Sequence, residues 1–162
     1  MQKITPHLWF DSQAEEAAQF YVSIFENSRI VGRTRYDATA APIANKPIGS
    51  VMTVTFELSG QEFIALNGGP IFQFSEAVSF LVRCDSQQEV DRLWARLTEG
   101  GHEMPCGWLK DKFGVSWQIV PTALEEMLGD EDEERRARVF QALLQMTRID
   151  IAALRRAFDG DS

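Results

Sequence analysis

Imidazole or thiolate chemistry has few places to sit in this chain, which carries two histidines, His7 and His102, and two cysteines, Cys84 and Cys106. His7 falls in a β-type run, Ile4–Phe10. His102 follows Gly100-Gly101 in an expected loop. Two cysteines make neither a disulfide framework nor a metal-binding Cys pair. Cys106, beside Gly107 and Trp108, would be a reactive thiol only if Lys110 or Lys112 lowered its pKa. An inert, buried Cys106 is the favoured alternative. Two neutral amides, Asn67 and Gln118, fall on expected closing strands, and each offers two donors and an acceptor. Gln118 is read as a pocket residue. Asn67 has two open readings, a ligand-orienting amide or the cap of the turn at Gly68-Gly69. Trp9, Phe63, Trp108 and Trp117 add aromatic surface near strand ends, as small-molecule pockets require, although core packing explains any one of them. The pairs Ser12/Glu15 and Ser86/Glu89 have the spacing of helix capping boxes, not of a nucleophile with its base. No Ser–His–Asp arrangement can be assembled around these two histidines.

The elements that must position these side chains follow from periodicity. After the first strand, Ala14, Ala17, Ala18, Tyr21, Val22 and Phe25 predict one apolar face of a helix of about 14 residues. A strand is expected over 30–36, a loop over 37–49, and a hairpin from Val51–Leu58 through Ser59-Gly60 to Glu62–Leu66. Asn67-Gly68-Gly69-Pro70 breaks the chain. The second half starts again: a strand over 77–82, then a helix with Val90, Leu93, Trp94 and Leu97 inward, closed by Gly100-Gly101. The stretch Asp11-Ser12-Gln13-Ala14-Glu15 matches Asp85-Ser86-Gln87-Gln88-Glu89 at four of five positions, with an offset of 74 residues. Such a repeat predicts two copies of one strand–helix–strands unit. A short strand near 102–106 and a strand over 115–120 complete the second copy. Thr122 and Glu125 read as a third capping box. The acidic run 130–134 favours the start of the next helix, which is expected to turn Val139, Leu143 and Met146 inward. Asp150 caps a last helix with Ile151, Leu154 and Phe158 inward.

The runs Ile4–Asp11, Leu66–Pro70, Cys106–Pro121 and Met146–Ile151 resemble the PhnB-like branch of the vicinal-oxygen-chelate (glyoxalase/bleomycin resistance/dioxygenase) superfamily. That branch carries the label 3-demethylubiquinone-9 3-methyltransferase. The resemblance covers nearly the whole chain, and the run from Trp108 to Pro121 is its most specific part. It implies an α+β fold of two βαβββ modules whose curved sheets form a cup, and a homodimer. The expected layout is a single domain over 1–162: a first module over 1–70, a second over 71–121 and a helical extension over 122–162. Metal-dependent relatives hold a divalent ion with His and Glu from the end strands. Here the last strand reads Gly114-Val115-Ser116-Trp117-Gln118, with an amide where the pattern Gly-x-x-x-Glu would bring a carboxylate. Neutral amide oxygen is a weak ligand without neighbouring carboxylates. The methyltransferase label fits poorly too. A doubly wound S-adenosylmethionine enzyme needs a Gly-rich turn leading into a helix, and Gly68-Gly69 leads into Pro70 instead.

A net charge of −8 argues against binding to phosphate backbones. No apolar run is long enough to span a bilayer, residues 1–6 carry no signal-peptide core, and a cytoplasmic location follows by default. The resulting expectation is a small-molecule-binding, resistance-like protein with no metal, no cofactor, no nucleic-acid partner and no membrane partner. Its pocket would use His7, Trp9, Phe63, Asn67, Cys106, Trp108 and Gln118. The competing expectation is a divergent enzyme of the superfamily, either a metal-dependent lyase, isomerase or dioxygenase, or the labelled methyltransferase.

Overall fold

The computed structural model describes residues 2–161. The chain divides into two compact units, Met1–Phe74 and Ser75–Ser162.

The first unit is one βαβββ module: β1 (His7–Phe10), α1 (Ala14–Ile24), β2 (Arg29–Arg35), a short α2 (Ala40–Ala44), β3 (Val51–Leu58) and β4 (Gln61–Asn67). Its sheet runs β1-β4-β3-β2, with β1 parallel to β4 and the other pairs antiparallel. Alternation along β3 and β4 sends Val54, Phe56, Leu58, Phe63 and Ala65 under α1, whose Ala14, Ala17, Ala18, Tyr21 and Ile24 meet them. The three alanines let the helix lie close to the sheet. The opposite face carries His7, Ile64, Thr55 and Gly32 in one row across the strands, and Trp9, Leu66, Thr53 and Thr34 in the next.

The second unit repeats the plan with β5 (Ser79–Cys84), α3 (Gln87–Thr98), β6 (His102–Glu103), a 3-10 turn (Pro105–Gly107), β7 (Trp108–Lys110) and β8 (Ser116–Pro121). Its sheet order is β5-β8-β7-β6, again with a parallel first pair. Val90, Leu93, Trp94 and Leu97 are buried on α3, as the periodicity predicts. Leu109, Trp117 and Ile119 face that helix, so the neighbouring residues of β7 and β8 turn to the other side. The unit continues into α4 (Thr122–Leu128), α5 (Glu133–Leu143) and α6 (Ile151–Asp159). Val120, Leu124, Met127, Val139, Leu143, Ile149 and Leu154 form their core. The loop before α6 is tied to the rest of the unit by Cys106 N donating to Met146 O (2.8 Å) and Gly107 N donating to Thr147 O (2.8 Å). Gln87 adds two more bonds, to Ile149 O and from Ile151 N.

The structure corrects several local expectations. The Ser12/Glu15 box does not form. The residue at the N-cap is Gln13, with no side-chain cap, and Ala14 N donates instead to Asn67 Oδ1 at 2.8 Å. Glu15 pairs with Arg33 on β2. The Thr122/Glu125 box is also absent: Thr122 is already helical, and Glu125 reaches Arg83 at 2.9 Å. The first strand begins at His7, not Ile4; the first helix has 11 residues, not 14, and the expected loop over 37–49 contains α2. The Ser86/Glu89 box is present, with Glu89 N donating to Ser86 Oγ (3.1 Å) and Asp85 N to Glu89 Oε2 (2.8 Å). Asp150 caps α6 through Ala153 N.

Candidate functional site

In the first unit the four singled-out residues separate by face. His7 and Trp9 lie opposite α1. Trp9 is half-buried, its indole N–H donates to Gly69 O (2.9 Å), and its ring meets Phe72 edge-on at 5.0 Å. Gly68 lies beneath that ring, and a Cβ there would run into the indole. The glycine therefore serves the tryptophan. Backbone that the cofactor would have to approach closely is already covered by the indole, so the Gly68-Gly69 pair does not fit the role such a turn plays in a doubly wound methyltransferase.

Phe63 and Asn67 point the other way. Phe63 stacks on Phe56 at 5.5 Å under the helix. Asn67 is 7% exposed; its Nδ2 donates to Val51 O (3.1 Å), its Oδ1 caps α1, and its carbonyl accepts from Tyr36 Oη. Burial raises the Tyr36 pKa. Asn67 thus ties β3, β4 and the start of α1 together, a role neither sequence reading anticipated. The signal was present only as an Asn at a strand end, which cannot reveal a partner 53 residues away.

In the second unit Gln118 and Trp108 are register partners on the face opposite α3, with Leu81 on the other side of Gln118. Gln118 Nε2 donates to Ser79 Oγ at 2.9 Å. The adjacent row across the sheet is Ser79, Ser116, Lys110 and His102. Lys110 Nζ pairs with Glu76 at 2.6 Å and holds that carboxyl below its ordinary pKa. Ser116 is 1% exposed, and its hydroxyl has no hydrogen-bond partner. Sequence reasoning missed Ser79 and Ser116, because a serine in a strand carries no signal of its own until the register is known.

Asn67 and Gln118 do not occupy equivalent positions. Phe10 pairs with Asn67 and Cys84 with Pro121, while His7 pairs with Ile64 and Leu81 with Gln118. The 74-residue offset therefore equates Gln118 with Ile64 and Asn67 with Pro121. The two amides face opposite sides of their sheets.

Cys106 sits in the 3-10 turn with φ of 64°, packed in part against the helical core. Cys84 is buried, and burial together with Glu89 and Asp85 pushes its thiol up to about 12. It is no nucleophile near neutral pH. Trp117 is core. Its indole N–H donates to Asp111 Oδ2 (2.9 Å), while Asp111 Oδ1 accepts from Phe113 N (2.8 Å) and Val115 N (3.1 Å). The long run from Trp108 to Pro121 is thereby explained as the wiring of one hairpin, with Gly114 at φ 90° completing its turn.

A cleft of about 290 Å³ lies among the last helices, lined by Ala123, Glu126, Met127, Arg155, Phe158 and Asp159. None of the candidate site residues described above lines it. Among the described residues no three His, Cys, Asp or Glu side chains gather as a metal-binding group. The register neighbours of His7 and Gln118 are Ile64, Leu81 and Trp108, so no carboxylate stands directly across from either. That donor set does not suit a divalent ion.

Two four-stranded sheets, each with a parallel first pair and a helix on one face, make the glyoxalase/bleomycin-resistance fold. The fosfomycin resistance protein FosX of Listeria monocytogenes, solved with Mn(II), shares the fold at 15% identity and a TM-score of 0.51, over 74% of this chain and 93% of its own. A family model described as 3-demethylubiquinone-9 3-methyltransferase matches residues 2–120, and the chain belongs to that family. A Bacillus cereus PhnB protein of the same description is 37% identical, with a TM-score of 0.66, over 74% of this chain and 99% of its own. A Pseudomonas aeruginosa protein is 20% identical, with a TM-score of 0.59, over 75% of this chain and 98% of its own. No curated protein matches. The helices after residue 121 lie outside the family match. Among the described residues no helix is long and apolar enough to cross a membrane.

Proposed function

We propose that this chain is a cytoplasmic small-molecule-binding protein that sequesters a partly aromatic ligand as a homodimer and needs no resident divalent metal. The observation that carries this reading is the face of the second sheet opposite α3. There Trp108 and Leu81 flank Gln118, and Ser79 and Ser116 supply hydroxyls in the next row. Apolar surface with a few placed polar groups is what a small-molecule site requires. His7 and Trp9 offer the same combination on the corresponding face of the first sheet, whereas Phe63 and Asn67 support that sheet from behind and Cys106 belongs to the turn before Trp108. Ile43, Ile48, Ile71 and Val78 are more than half exposed, apolar surface of the kind a second copy covers.

A thermal-shift screen of quinones, aromatic drugs and S-adenosylmethionine tests the reading, because a ligand that binds only the folded state raises the melting temperature. Stabilisation by an aromatic compound and its loss in Gln118→Ala are expected. Stabilisation by S-adenosylmethionine alone, or a stoichiometric metal retained through His7 in protein purified without a chelating column, would overturn it. Light scattering should report twice the mass of one chain.

A further inference from the structure

We infer that the site on the second sheet takes a neutral group carrying both a hydrogen-bond donor and an acceptor, such as a primary amide, rather than an anion. This rests on the binding function proposed above and sharpens it to a ligand chemistry.

The starting point is Ser116. A buried hydroxyl without a partner is uncommon, because leaving one unsatisfied forfeits its hydration without replacement. Ser116 Oγ is such a group, at 1% exposure and between half-buried Ser79 and Lys110 in one row. It can both donate and accept. Gln118, in the adjacent row, uses Nε2 on Ser79 Oγ at 2.9 Å. Its Oε1 remains as an acceptor, and the Ser79 hydroxyl hydrogen remains as a donor. The site therefore presents donors and acceptors together.

Charge decides between ligand classes. Lys110 is the nearest cation in the row, and Glu76 already neutralises it at 2.6 Å. A carboxylate arriving here would lose its hydration, find the lysine of the row already paired with Glu76, and face the acceptor Gln118 Oε1. A neutral amide loses less on leaving water and can donate to Gln118 while accepting from a serine. Trp108 and Leu81, flanking Gln118, provide apolar surface for a ring attached to that group.

Benzamide and benzoate make the test, since they share a ring and differ in the charge and donors of the head group. Each is titrated into the full chain at neutral pH and followed by amide chemical shifts. Benzamide is expected to bind at least tenfold more tightly and to shift the resonances of Ser79, Ser116 and Gln118. Ser116→Ala is expected to weaken benzamide by about fivefold, the size of one net hydrogen bond. The same variant should melt no lower than the unsubstituted chain, because it removes an orphaned group. Should Ser116→Ala fail to fold, Ser79→Ala gives the same reading. Equal or tighter binding of benzoate, benzamide affinity unchanged in both serine variants, or no binding of either probe would overturn the inference. If neither probe binds but a quinone or aromatic drug does, the binding function stands and only the ligand class falls. If nothing binds, both fall.

Discussion

The two modules start their helices from nearly the same five residues and finish them differently. In the second, Ser86 caps α3 and Glu89 reaches back to Asp85 N. In the first, Ser12 and Glu15 have the same spacing, yet Asn67 from β4 caps α1. The register explains the difference. Asn67 stands opposite Phe10 at the end of β1, and Gly68 N and Gly69 N continue onto Phe10 O and Asp11 O. This carries the Asn67 amide to the start of α1. The equivalent position of the second module is Pro121, opposite Cys84, which has no polar side chain to offer. A local capping signal is thus used when nothing better arrives from across the sheet, and set aside when a buried amide does. Each module also has one buried polar side chain that binds several strands or turns, Asn67 in the first and Asp111 in the second.

That contrast can be broken from several directions. The largest effect is expected at Asp111→Ala, which strands three donors at once, Phe113 N, Val115 N and Trp117 Nε1. A loss of about 4 kcal/mol in urea unfolding would match buried bonds to a charged acceptor. A loss under 1 kcal/mol would show that the hairpin holds without it. Asn67→Ala should cost about 2–3 kcal/mol, since it uncaps α1 and leaves Val51 O without its donor. Next comes the pair of serines. Ser86→Ala should cost about 1 kcal/mol and Ser12→Ala less than about 0.5 kcal/mol, despite their matched sequences. Equal costs would mean that Ser12 caps in solution after all.

The smallest effect concerns Glu76 and Lys110. The Glu76 carboxyl is held below its ordinary value of 4.5, first by the hydrogen bond from Lys110. Its folded-state pKa is depressed, so the pair adds stability above pH 4.5 and that stability is lost as pH falls through the lowered value. Glu76→Gln should therefore lower the melting temperature slightly at pH 7 and leave it unchanged well below pH 4.5. A difference that persisted at low pH would show that the side chain acts by packing.

Much of the fold could be read before any coordinates. Hydrophobic periodicity located α3 and all four of its buried residues, and the repeat correctly announced two similar modules. The hairpin β3–β4 was readable because alternation and a Ser59-Gly60 turn are both local signals. The site was only partly readable. Trp108 and Gln118 do share a face, but Phe63 and Asn67 lie on the other face of their sheet from His7 and Trp9. A shift of one residue along a strand moves a side chain to the opposite face, so a strand boundary uncertain by a residue or two leaves orientation undetermined.

The amino-acid sequence by itself determined where most helices and strands form and that the unit is doubled. These follow from periodicity, caps and residue chemistry, which act within a few residues. Only the tertiary structure decided which residue caps α1, which face each amide takes, and that Ser116 is buried without a partner. Those outcomes depend on pairing between strands distant in the chain, where one step of register chooses between a core bracket such as Asn67 and an amide on the face away from the helix, such as Gln118.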